Sequence, residues 1–297
     1  MRFALTLWTS MVLLLPAVSH ACINAVGTDH RGKRFEPAFH VGEDLEKAMT
    51  AKRSESYWVT HTRQIAGKAR KEPDFKNLTD LAITLIYRER YAPAIELLLT
   101  IEKRYPGHHE TAANLGTALE LAGYDQVALR WIRIGIQRNS EEHWGTEWLH
   151  ARILEAKLAA ASNPGYLDNH SVAGLKFGAQ LVPPMPAMPP GNDGKPVKPW
   201  QLNRAFDYQL SERLQFVRAP DPVVANLLMD WATLNLAGGP VESADALYGL
   251  AMRYGAERTP LTVSRRSYIR EVLARTGDKL PEGYGCDICQ PLNDDGS

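Results

Sequence analysis

Two consecutive 34-residue segments, 75–108 and 109–142, constrain this chain more than any other feature, because they share one pattern of small and apolar residues. Leu78, Leu81, Ala82, Leu85, Ala94, Leu98 and Ile101 occupy the first segment. Adding 34 to each number gives Ala112, Leu115, Gly116, Leu119, Ala128, Ile132 and Gly135, so every position stays small or apolar. A fixed period between about 20 and 50 residues marks a stacked array of one repeated supersecondary unit. Leu78, Leu81, Ala82 and Leu85 fall at i, i+3, i+4 and i+7, the face of a helix. A second helix is predicted from Pro93, a residue suited to a first helical turn, to about Arg104, where Tyr105-Pro106-Gly107 stops it. Each segment therefore reads as a helical hairpin. Ala82/Gly116 and Ala94/Ala128 are placed where its two helices cross, and Leu81/Leu115 and Leu98/Ile132 fill the space beside the crossing.

The residues from Phe75 to Glu142 resemble the tetratricopeptide repeat family. Leu115-Gly116, Ala128, Pro106 and Tyr91 match its signature slots. Tyr124 lies one residue off its slot, and the aromatic residue expected early in the first helix is replaced by Leu78 and Ala112. The resemblance implies an all-α solenoid of helical hairpins whose first helices line a concave face that holds a protein or peptide. Register and resemblance together nominate Asn77, Asp80, Thr84, Thr111, Asn114 and Glu147 as contact positions on that face.

Before the repeats, residues 1–21 carry a short positive start at Arg2, an apolar run from Leu5 to Val18, and Ser19-His20-Ala21 ahead of Cys22. This is the layout of a secretory signal peptide, and the run is short for a membrane span. Residues 22–74 read as an extended leader followed by helical pattern ending at Pro73. After the repeats, Glu147 to Ala161 continues an apolar face, but His150 fills the small slot and no matching second helix follows. We read it as a half repeat closing the body at 75–162. Residues 163–203 are Pro-rich and are expected to be a linker. Helical pattern resumes over 204–279, where Val223 to Ala237 and Val241 to Tyr254 form a degenerate third repeat. Ala232, Ala244, Tyr248 and Ala251 keep the offsets of Ala82, Ala94, Leu98 and Ile101. Residues 280–297 read as a flexible tail containing Cys286 and Cys289.

Charge and motifs narrow the function classes. The 34 basic residues balance 34 acidic ones and form no basic stripe, so nucleic acid is not an expected partner. No stretch after residue 21 is long and apolar enough for a membrane span. The sequence holds no P-loop, dinucleotide fingerprint, nucleophile elbow or zinc-protease motif, so no catalytic residue, cofactor or metal site is nominated. His143 and His150 are seven apart and would share a helix face if the helix started early enough. An exported chain meets an oxidising compartment, where thiols tend to pair. Cys286 with Cys289 is one disulfide, and Cys22 with either is another; lipidation of Cys22 is a further alternative, with Ser19 standing where lipoprotein signals usually carry Leu. The expectation is an exported, non-enzymatic scaffold of the periplasm or cell envelope with a protein or peptide partner. The alternative is an exported thiol-disulfide or metal-handling protein built on Cys286 and Cys289.

Overall fold

Eleven α-helices and one two-stranded β-ribbon make up the regular secondary structure of this computed structural model over its described residues, 25–276 and 285–290, apart from two short 3-10 turns and one isolated bridge. The chain is all-α in class, as its periodicity predicts. The expected signal peptide and Cys22 lie outside the described residues.

The chain enters through a ribbon in which β1 (Gly27–Thr28) pairs antiparallel with β2 (Arg34–Phe35). Helices α1 (Glu43–Thr50) and α2 (Glu55–Lys71) follow. The two 34-residue segments then supply α3 (Phe75–Tyr87) with α4 (Tyr91–Arg104), and α5 (His109–Leu121) with α6 (Asp125–Arg138). Asp74 accepts a hydrogen bond from the Asn77 amide and so caps α3. From α2 onward each helix packs on the next, through to α7 (Glu147–Ser162).

The small residues act as the repeat pattern requires. Ala82, Ala94, Leu98, Leu115 and Ala128 are fully buried. A Cβ on Gly116 would lie 2.5 Å from Ile132 Cδ1, so α5 and α6 approach closely only because no side chain stands there. The equivalent turn positions Glu89 and Gly123 both take left-handed backbone, with φ of 55° and 86°. Glycine adopts that conformation without a steric penalty, whereas a residue with a Cβ does not. Replacing Glu89 by glycine is expected to stabilise the fold by about 1 kcal/mol. A thermal melt checks this, and an unchanged or lower Tm would contradict it.

Helix α7 joins two cores. Ala151 and Leu154 pack with the repeats, while Trp148, Leu149, Ile153 and Ala156 belong to a second core. That core also takes residues from α1, α8 (Pro199–Arg213), α9 (Pro222–Gly238), α10 (Val241–Arg253) and α11 (Pro260–Arg275). Ala232, Ala244, Tyr248 and Ala251 are fully buried where α9 and α10 pair.

The Pro-rich stretch expected as a linker over 163–203 is packed chain. Val172, Ala173 and Leu175 are buried in the second core. The amide of Val172 donates to Asn226 Oδ1 at 2.9 Å, and Arg265 Nη2 donates to the carbonyls of Gly178 and Gln180 at 2.8 and 3.0 Å. Prolines remove amide donors, so the remaining carbonyls and amides of such a segment find side-chain partners on neighbouring helices. Its last residues already belong to α8, which starts at Pro199 rather than at Arg204.

Part of the expected flexible tail is also docked. Cys286 and Cys289 form a disulfide, and the amides of Asp287 and Ile288 donate to the Gly238 carbonyl at 2.7 and 3.3 Å. Ile288 is fully buried beside Gly239, so burial of one isoleucine holds residues 285–290 at the end of α9. Among the described residues no helix is long and apolar enough to cross a membrane.

Candidate ligand site

Helix α5 carries a carboxylate where its repeat equivalent carries a hydrocarbon. Glu120 is only 5 % exposed, and 34 residues earlier stands the buried Ile86. A buried carboxylate is costly unless it is paired and hydrogen-bonded, and three cations converge on it. Arg213, at the end of α8, donates through both terminal nitrogens at 2.7 and 3.1 Å. His150 on α7 places Nε2 2.8 Å from Oε2, and Lys157 Nζ reaches Oε1 at 3.1 Å. Lys157 also bonds Asp125 at 2.6 Å.

The network continues through the other ring nitrogen of His150. Its Nδ1 lies 3.5 Å from Glu147 Oε2, while Glu147 Oε1 meets His143 Nδ1 at 2.7 Å. His143 sits in the turn before α7 and not on the helix, which starts at Glu147. His143 and Trp144 both take left-handed backbone, with φ of 50° and 57°. Such residues each cost on the order of 1–2 kcal/mol and cluster at ligand clamps. Here the turn aims the His143 ring at Glu147 and stacks it on Tyr208 of α8, with centroids 4.7 Å apart.

The charges in this network hold one another in place. Burial opposes ionisation of Glu147, but hydrogen bonds from His143 and His150 outweigh it and hold the pKa down at about 2. Burial likewise opposes charging of His150, yet its bonds to Glu120 and Glu147 push the pKa up to about 9. Glu120 is held well below the carboxylate range against its own burial, chiefly by the Arg213 charge and His150. The signs follow from linkage. The Glu147 contribution is present above about pH 4.5 and is lost as pH falls through about 2; the His150 contribution is complete below about pH 6.5 and is lost as pH rises through about 9. The contribution of these two groups to Tm is therefore expected to be highest between about pH 4.5 and 6.5 and to fall on both sides. A His150→Gln variant should flatten the alkaline limb, and an alkaline limb of unchanged depth would show that His150 is not its source.

Between this network and the ends of α3 and α8 lies a cavity of about 240 Å³. Helix α3 contributes Ile83, Ile86 and Tyr87, and α5 contributes Ala113, Asn114, Thr117 and Glu120. Across from them stand Tyr208, Gln209, Glu212 and Arg213 of α8, followed by Phe216. The Tyr87 ring stacks on Trp58 of α2 at 4.3 Å and tilts against Phe216 at 5.1 Å. Its hydroxyl donates to Glu212 Oε2 at 3.2 Å. Burial, then the Glu212 charge and bond, push the Tyr87 hydroxyl up to about 12, and burial with the Glu212, Glu147 and Glu142 charges likewise raises Tyr208. The cavity is therefore aromatic on two sides, with the Glu212 carboxylate beside Tyr87.

Of the six contact positions nominated from the sequence, Asn114 and Glu147 line this cavity. Thr84 is buried with its hydroxyl donating to the Leu81 carbonyl, and Thr111 is fully buried with no partner for its hydroxyl among the described residues. Asn77 donates to the Glu72 carbonyl and Asp80 pairs with Lys76, both near the start of α3. Cys286 and Cys289 are only 6 % and 5 % exposed and lie at the end of α9. Glu120, Arg213, Tyr87, Tyr208 and Glu212 were not nominated. Two signals pointed toward this site: an acid at position 120 where the repeat carries Ile86, and a histidine in the small slot of the half repeat. The chain matches no family model, no curated protein and no solved structure.

Proposed function

We propose that this chain is an exported, non-enzymatic scaffold of the tetratricopeptide type, which holds a protein or peptide partner on the face formed by the first helices of its repeats. One observation carries this reading: the 240 Å³ cavity opens among α3, α5 and the turn before α7, where the resemblance places partner contacts. Helix α8 crosses that region and narrows it, so the site suits one inserted side chain or chain end better than a long extended segment. Ligand pockets for drug-sized molecules run to about 300–1,000 Å³, and this one is smaller. The 34-residue register and the unbroken sequential packing of α2 to α7 support a repeat array. The buried disulfide supports an oxidising, exported setting and closes the short loop that carries Ile288.

Selection from a random-peptide display library tests the reading. Enriched peptides should bind the wild-type protein and lose binding to a Thr117→Trp variant, whose indole fills the cavity. Failure to enrich any peptide, or enrichment of peptides indifferent to Thr117→Trp, would remove the scaffold reading from this face.

A further inference from the structure

The cavity has a charge pattern that selects its occupant. Arg213 is committed to Glu120 through two hydrogen bonds. His150 is held between Glu120 and Glu147, and His143 lies against Glu147. Lys157 is shared by Glu120 and Asp125. Every fixed cation lining or flanking the cavity is thus already matched to a carboxylate. Glu212 is different: among the described residues its carboxylate has one side-chain partner, the neutral phenol of Tyr87. It lies close enough to Tyr208 and His143 to influence both. An anion entering here would meet Glu212, whose charge no cation among the described residues offsets.

The walls match the same occupant. The rings of Tyr87, Phe216 and Tyr208 line the cavity; Trp58 covers one face of Tyr87 and His143 one face of Tyr208, so an occupant meets the opposite faces or the edges of these rings. A cation over such faces gains about 0.5–2 kcal/mol, more as it loses water, and gains further from an unpaired carboxylate. On a face that holds a peptide, such a cation is the side chain of an arginine or lysine.

We propose that this cavity binds the arginine or lysine side chain of a peptide partner, with Glu212 as counter-ion and Tyr87, Tyr208 and Phe216 as its aromatic walls. The proposal rests on the scaffold reading above for the peptide, and on the cavity alone for the cation. The test is built so that the two fail separately. Argininamide and its isostere citrullinamide, both Nα-acetylated so that only the arginine side chain carries charge, are titrated into the wild-type chain by isothermal titration calorimetry. Argininamide should bind at least tenfold more tightly, and Glu212→Gln should bring the two within about twofold of each other. Glu212 is exposed, so the variant should keep the wild-type Tm. Equal binding of the two amides, or a charge preference that survives Glu212→Gln, overturns the cation site whatever the display selection finds. A preference for argininamide together with failure to enrich any peptide overturns the peptide half and leaves a site for a free cation. Enriched peptides that share a basic residue, bound at least tenfold more weakly when it is replaced by citrulline or acetyl-lysine, support both halves.

Discussion

Replacing Glu120 by alanine is expected to cost about 3–5 kcal/mol of stability, because it strands buried positive charge. Arg213 and His150 both lose the carboxylate that licenses their burial, and Lys157 keeps only Asp125. His150 should then titrate well below its wild-type value of about 9, since burial alone opposes its charge and Glu147 is the one acceptor left to it. Urea denaturation at pH 6 measures the loss. Glu120→Ile carries the residue of the first repeat into the second and should destabilise similarly, since Arg213 is still stranded. The pair Glu120→Ile with Arg213→Met should recover most of the loss, because replacing a whole buried ion pair by apolar groups of similar volume is often neutral or stabilising. A loss below about 1 kcal/mol for Glu120→Ala would mean that water reaches Arg213 and that the network is not a closed one.

Trp231→Ala should cost a similar amount, about 3–5 kcal/mol, for a different reason. Trp231 is 2 % exposed in the second core, its ring lies stacked 6.0 Å from Phe206, and its Nε1–H donates to Asn203 Oδ1 at 2.8 Å. Phe206 and Asn203 both belong to α8. Truncation leaves a large void and a buried amide without its donor, so α8 loses its hold on α9. Helix α8 also supplies Arg213 and Glu212 to the cavity, and α7 contributes to both cores. The damage should therefore spread. Hydrogen exchange in Trp231→Ala is expected to speed up in α3 to α6 as well as in α9 and α10. Faster exchange confined to α8–α11 would show that the repeats fold as a unit of their own.

How much of this was legible beforehand depended on the range of the interactions. Helical hairpins at 75–142 follow from local periodicity, because a residue's slot in a repeat is set by its neighbours three, four and 34 positions away. The hairpin of α9 and α10 was legible on the same grounds. The Pro-rich stretch was not, since the residues that hold it, Asn226 and Arg265, lie more than fifty positions along the chain. Docking of Ile288 on Gly238 and Gly239 is equally non-local. At the cavity, Asn114 and Glu147 were reachable from register alone. Glu212 and Tyr208 were not, because α8 bears no repeat relationship to α3 and α5, and only its placement gives those side chains their meaning.

The sequence by itself determined the class, the hairpins and the positions where helices must cross closely, since these depend on the helical period and on the volume of side chains such as Gly116 and Ala94. Tertiary structure alone decided that α8 is laid across the repeats, and so turned Glu120 and His150 from misfits in a pattern into the centre of a buried ionic network. The physical reason is that periodicity records which faces must be dry. Pairing of buried charges is settled by contacts between elements 30 to 93 residues apart, which no local pattern encodes.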